Sequence, residues 1–297
     1  MKINTNPSGL FAGLSLGLLL TFTSCSKSSD NPTTDEQVVN SQASAEADAE
    51  AEIYYDDVFN NVMGVNNTVG IGGTGVFQSA NSDQPGALQS ECFTVQVEQL
   101  AAPDSFPLKV TIDFGTTGCQ GRDGRTRKGK IITVYTGRMV KPGSVAETSF
   151  DGYYVNDNKV EGTHRVENKS TSTQFSFETK VTNGKVTRPD GNYVEWNRTR
   201  LITQTDGWGT PFFPADDVFS ITGSGSGLVK RGDKTHTWTT STQEPLIKRF
   251  NCRWIVAGKK AVTRNDGPTA VIDFGTGDCD NKATLKVNGV SKEITLK

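Results

Sequence analysis

The chain has 297 residues, a formal net charge of −2 and 34% hydrophobic residues, enough apolar content for a packed core and too little charge for a nucleic-acid-binding body. After the first two dozen residues, no run approaches the roughly 20 apolar residues that a spanning helix needs. With two histidines and, beyond the first two dozen residues, no Gly-x-Ser-x-Gly elbow, phosphate loop or zinc-helix motif, the chain offers no recognisable catalytic constellation and implies no cofactor or metal.

Residues 1–24 read as a signal peptide, with Lys2 as the charged start and an apolar core from Leu10 to Phe22. The core ends Phe22-Thr23-Ser24-Cys25. This resembles the bacterial lipoprotein processing box, in which small residues precede a diacylated cysteine; Phe22 stands where the family usually has Leu. The resemblance implies that Cys25 is the acylated first residue of the mature protein and that the membrane is a partner through its lipid. Each buried acyl CH₂ contributes about 0.8 kcal/mol, so two or more chains anchor stably. An ordinary cleaved signal with a free Cys25 is the alternative. Ser26, rather than Asp, follows the cysteine, which favours the outer membrane and leaves open whether the domain faces the periplasm or the outside.

Residues 25–44 read as a flexible lipid-anchored tether, rich in Ser, Thr, Asn and Gln and too polar to offset its ordering entropy. Residues 45–64 read as an amphipathic acidic helix. Their start, Ala45-Glu46-Ala47-Asp48-Ala49-Glu50-Ala51-Glu52, is strongly helix-prone. Apolar residues at 51, 54, 55, 58, 59 and 62 follow helical spacing, and Gly64 is the expected cap. The apolar stripe is expected to pack on the domain that follows; the alternative is a helix that docks on a partner. Cys25 to Asp57 holds 9 acids and 1 Lys, net −8, whereas Val58 to Lys297 holds 24 acids and 29 Lys or Arg, net +5. The acidic arm is therefore expected to lie along a mildly basic body.

Residues 65–297 read as one β domain with a partial internal repeat, 92–137 and 252–296. Cys92 to Cys119 and Cys252 to Cys279 are both 27 residues apart. Ile112-Asp113-Phe114-Gly115-Thr116-Thr117-Gly118-Cys119 recurs as Ile272-Asp273-Phe274-Gly275-Thr276-Gly277-Asp278-Cys279, at an offset of 160. Four cysteines allow three connectivities. One disulfide per copy, Cys92–Cys119 and Cys252–Cys279, is the simplest reading for an exported chain; zinc is the rival, but the close spacing of a zinc ribbon is absent. Alternation dominates the domain, as in Phe93, Val95, Val97 and in Val110, Ile112, Phe114. Turn signals at Asn183-Gly184, Asp190-Gly191, Arg231-Gly232, Asn265-Asp266-Gly267 and Asn288-Gly289 separate the runs. The expected fold is mainly β, a long antiparallel meander of about 13–16 strands forming a barrel or sandwich, with one N-terminal amphipathic helix.

Two loops are candidate ligand-binding sites. Arg122, Arg125 and Arg127 crowd residues 121–130, where they could meet a sugar acid or lipid phosphate. Trp208, Phe212 and Phe213 lie beside carboxylates in residues 206–217 and suit carbohydrate stacking. Asp273, Asp278 and Asp280 could offer oxygens to calcium, though a structural turn is the simpler reading. Glu161 and Glu167 are a candidate carboxylate pair for glycoside hydrolysis. The leader, the acidic helix and the doubled Ile-Asp-Phe-Gly-Thr…Cys segments together resemble uncharacterised β-rich outer-membrane lipoproteins of Bacteroidota. That resemblance implies a lipid-anchored cell-envelope module, structural or ligand-binding, with a glycan or an envelope protein as partner. A secreted polysaccharide or cell-wall hydrolase, and an assembly subunit docking through the helix, are the alternatives.

Overall fold

The computed structural model describes residues 34–66, 68–72, 74–77, 92–102, 105–121, 123–207, 216–252, 254–265 and 267–296. The leader, Cys25 and the first part of the expected tether lie outside them.

Helix α1 spans Thr34–Gly64, so residues 34–44, expected as spacer, are helical. Acidic Asp35 and Glu36 occupy the first turn, where they suit the helix dipole. Val38, Ser41, Ala45, Asp48, Ala51, Tyr55, Val58 and Val62 are buried along one side at three- and four-residue spacing. The stripe mixes serines and an acid with apolar residues, so composition understated its first third. Val38 and Ala45 pack with Val262, Ile272 and Leu285, a tertiary gain that offsets the low intrinsic hydrophobicity. Gly64 closes the helix as expected, but for a different reason. A Cβ there would overlap the carbonyl oxygen of Thr74, so close backbone approach, rather than a left-handed cap, demands the glycine.

Among the described residues, fourteen strands follow: β1 (Thr94–Gln99), β2 (Leu108–Asp113), β3 (Cys119–Gln120), β4 (Thr126–Tyr135), β5 (Val145–Val155), β6 (Asn158–Asn168) and β7 (Ser176–Thr187), then β8 (Tyr193–Asp206), β9 (Val218–Arg231), β10 (Lys234–Arg249), β11 (Ile255–Arg264), β12 (Thr269–Thr276), β13 (Lys282–Val287) and β14 (Val290–Thr295). All belong to one antiparallel sheet in sequence order, with β3 paired only to β4. The protein is thus mainly β, an antiparallel meander preceded by one helix. The sheet is not closed, and β1 and β14 are its edges. As an edge, β1 is exposed throughout, so the alternation of Val95 and Val97 marks no buried face.

The N-terminal half of the helix meets mainly the later strands and the C-terminal half the earlier ones. Gln42 Oε1 accepts from Lys292 Nζ of β14 at 2.9 Å, and Asp48 meets β8, β10 and β11. Tyr55 Oη donates to the Glu161 carbonyl of β6 at 2.8 Å. The Val62 carbonyl accepts from Tyr135 Oη of β4 at 2.7 Å. The 31 residues of α1 span about 46 Å; the nine steps from β4 to β13 span about 43 Å. The helix therefore lies across the strands as a transverse beam and buries the inner face of most of the sheet.

Both cysteine pairs are disulfides, Cys92–Cys119 and Cys252–Cys279, with Cα separations of 5.3 and 5.7 Å. The repeated Ile-Asp-Phe-Gly segment makes the same local turn twice, at the end of β2 in the first copy and at a register shift inside β12 in the second. Asp113 Oδ1 accepts the Gly115 N–H at 2.8 Å, and Asp273 Oδ1 the Gly275 N–H at 3.2 Å. Both glycines have positive φ, 68° and 87°, which a side chain would resist. Each aspartate also pairs with a lysine one strand over, Lys130 at 3.4 Å and Lys286 at 3.0 Å. The motif is a structural turn, which ends β2 and bends β12.

Candidate functional site

Cys25, Arg122, Trp208, Phe212 and Phe213 lie outside the described residues. Of the two remaining candidate arginines, Arg125 is half-buried and Arg127 is internal, so Arg127 does not face a ligand as expected. Arg127 is fully buried. Its Nε donates to Asp57 Oδ2 at 3.1 Å, and its Nη1 to Asp123 Oδ1 at 3.0 Å. Arg125 Nη1 lies 3.2 Å from Asp57 Oδ1, and Tyr153 Oη donates to Asp57 Oδ2 at 3.1 Å. Burial, with the Asp57 carboxylate beside it, holds the Tyr153 hydroxyl well above its ordinary range. The basic loop thus clamps the C-terminal half of α1 to β4 and β5, and the described part of the acidic arm, from residue 34 on, lies on the body as expected from its charge.

A second ionic cluster sits nine residues earlier on the helix. The buried Asp48 carboxylate pairs with Arg198 and Lys260 and accepts from Trp238 Nε1 at 3.2 Å. Glu52 joins both cations, 3.1 Å from Lys260. Burial opposes the charge on Asp48, but the two cations outweigh it and keep the carboxyl well below the usual range. Burial, with Arg198 close by, pushes Lys260 down to about 8.

The candidate hydrolytic pair fails on distance. Glu161 and Glu167 are six residues apart on β6, about 20 Å along a strand. Each is held by neighbouring cations, Glu161 by Lys159 at 2.7 Å and Glu167 by Arg165 and Lys169 at 2.7 and 2.6 Å. Asp273 is engaged by Lys286 and its own turn. Among the described residues, no group of three His, Cys, Asp or Glu side chains is placed to hold a metal.

His164 is fully buried on β6, edge-on to Tyr55 at 5.5 Å and to Phe59 at 6.5 Å. Neither ring nitrogen has a hydrogen-bond partner. Burial, reinforced by Arg200, lowers its pKa from 6.5 to about 3. Between those values the unfolded chain takes up a proton that the folded chain refuses. Its contribution to stability is therefore complete above pH 6.5 and shrinks by about 1.4 kcal/mol per pH unit as pH falls toward 3. Urea unfolding from pH 7 to 4 is expected to show a flatter acid slope for His164→Leu than for the native chain. Parallel slopes would contradict this placement.

Sequence reasoning missed a groove of about 570 Å³ on the described surface, crossing β7 to β11. Trp196 meets Tyr55 of the helix and Trp238 meets Asp48, so both face inward. Their flanking residues Glu195, Asn197, Thr237 and Thr239 therefore face the opposite side of the sheet. The exposed positions of its lining, Asn183, Asn197, Ser226, Thr237, Thr239 and Asn265, put the groove on that outer face, and the inward-facing Gly184, Trp196, Gly227 and Trp238 enter the lining as its floor. Asn183-Gly184 is a bulge inside β7 rather than the expected hairpin turn: the register shifts between Val181 and Gly184, and Asn183 has φ 50°. Asn197 Oδ1 accepts the Asn183 N–H at 2.9 Å and braces the bulge. At the far end, Asn265 Oδ1 accepts the Thr237 N–H at 2.8 Å. Lys185 and Glu195 pair at 2.7 Å.

Fold and site together define a disulfide-linked, mainly β module with an open polar groove on its outer face. No protein-family profile, curated protein or solved structure matches the chain.

Proposed function

We propose that the protein is a lipid-anchored cell-envelope module, held at the outer membrane through Cys25, whose β domain binds a ligand without acting on it chemically. The observation that carries the binding half is the composition of the groove. It is walled by amides and hydroxyls, and its one carboxylate, Glu195, is already paired with Lys185. Glycoside hydrolysis uses two carboxylates about 5–10 Å apart. The strongly shifted groups Asp48, Lys260, Tyr153 and His164 are instead all buried on the helix side of the sheet. The docking-helix alternative loses its basis, since the apolar stripe of α1 is spent on its own sheet.

The anchoring half rests on the Leu10–Phe22 core, on Cys25 directly after it, and on two disulfides that suit an oxidising compartment. Cells grown with labelled palmitate are expected to transfer label to the native chain and to leave the Cys25→Ala variant unlabelled in the soluble fraction. Equal fractionation of the two forms would overturn the anchor.

A further inference from the structure

We infer that the outer-face groove over β7 to β11 is a binding site for a neutral oligosaccharide chain laid across the strands; this deepens the binding half of the proposed function and does not depend on the anchor.

Charge is the first reason. Among the described residues, Lys185 and Glu195 are the only charged side chains in the lining, and their 2.7 Å pair cancels within the groove. An anion or cation entering would shed water without gaining a counter-charge, whereas a neutral polyol needs only hydrogen bonds.

Chemistry is the second. Asn183, Asn197, Asn265, Ser226, Thr237, Thr239 and Thr263 supply carboxamides and hydroxyls. These groups both donate and accept, as sugar hydroxyls do. Two of the amides are fixed before any ligand arrives. The oxygen of Asn197 is held by the Asn183 backbone and that of Asn265 by the Thr237 backbone; Asn265 Nδ2 also meets His236 Nδ1 at 3.5 Å, which leaves the second hydrogen of that group to donate. Amides braced in this way lose little side-chain entropy on binding. The hydroxyl-bearing residues Ser226 and Thr239 stand exposed, facing each other across β9 and β10.

Shape is the third. Leu228 sits half-buried between Glu195 and Thr237 in the cross-strand row. That gives the floor an apolar strip for the C–H face of a sugar ring, with polar groups at the rim. The groove crosses five strands, about 19 Å, and its roughly 570 Å³ falls within the about 300–1,000 Å³ of small-ligand sites. A short run of sugar residues fits better than a single one.

The inner row explains why the floor is open. Gly227 pairs with both Trp196 and Trp238 across the strands. A Cβ on Gly227 would strike the Trp238 ring, and one on Gly184 would crowd Trp196. The tryptophans lie down over glycines on the helix side, so a flat stretch of sheet is left beneath the groove.

The test is calorimetry on the full mature protein in detergent micelles. The probes are neutral hexasaccharides (cellohexaose, xylohexaose, mannohexaose and maltohexaose), with hexagalacturonate as the anionic comparison. We expect at least one neutral hexasaccharide to bind, with an affinity unchanged between 50 and 500 mM salt. Ser226→Arg fills the groove from an exposed position without touching the core, and is expected to weaken that binding at least tenfold while the melting curve stays native. Thr239→Trp, on the neighbouring strand, is the second variant and is expected to do the same. Four outcomes overturn the inference: silence from all neutral probes at millimolar concentration, salt-dependent binding of the galacturonate alone, binding that both variants leave intact, or occupation of the groove by a protein in place of any sugar. None of these would bear on the lipid at Cys25, which palmitate labelling reads separately.

Discussion

Asp48→Ala is expected to cost about 3–5 kcal/mol of unfolding free energy, the range for removing one partner of a buried ionic cluster. Asp48 is 3% exposed and sits where the helix crosses the middle of the sheet. Its loss strands the buried Arg198 and Lys260 against Glu52 alone, and takes the acceptor from Trp238 Nε1. The desolvation cost of two cations then falls on the folded state without its main offset. Urea unfolding at pH 7 measures the loss. Asp48→Leu combined with Arg198→Met and Lys260→Met is expected to recover much of it, because the cluster orders the helix on the sheet more than it adds net stability. A loss below about 1 kcal/mol for the single variant would mean that water reaches the site and that the helix is not seated there.

The second large effect is expected from the disulfides. Replacing Cys252 and Cys279 together by alanine opens a loop closed across 27 residues, worth about 3–4 kcal/mol in the chain-entropy account. The same holds for Cys92 and Cys119. The two losses should add, because the bridges lie near opposite edges of the sheet, one beside β1 and the other between β11 and the turn after β12. Thermal unfolding of each double variant and of the quadruple variant checks this. An unchanged melting temperature for either double variant would show that its bridge constrains nothing in the unfolded chain.

Much of this architecture was legible in the residues. The period-two runs marked the strands, and the equal 27-residue spacings chose the disulfide pairing because each bridge closes within its own copy of the repeat. The −8 arm against the +5 body foretold that the helix would lie on the sheet. What escaped has physical reasons. Residues 34–44 carry little hydrophobicity of their own; their helix forms because Val38, Ser41 and Ala45 reach the β11 to β13 core, a contact that no local window contains. Arg125 and Arg127 look like a solvated hairpin loop until the chain brings Asp57 to them from 70 residues away. Asn183-Gly184 has the composition of a hairpin turn and serves as a bulge, because both need positive φ and only the register tells them apart. The groove had no local signature, since its lining comes from five strands and every residue in it is an ordinary outward-facing strand residue.

The most direct test of an exported, lipid-anchored, cross-linked module is the intact mass of the mature protein taken from membranes without reduction. The account predicts a chain that begins at Cys25, carries the added mass of its acyl groups, and is four hydrogens lighter than the fully reduced form. A chain without lipid at residue 25, or one whose four domain cysteines all react with a thiol reagent in the native state, would contradict it.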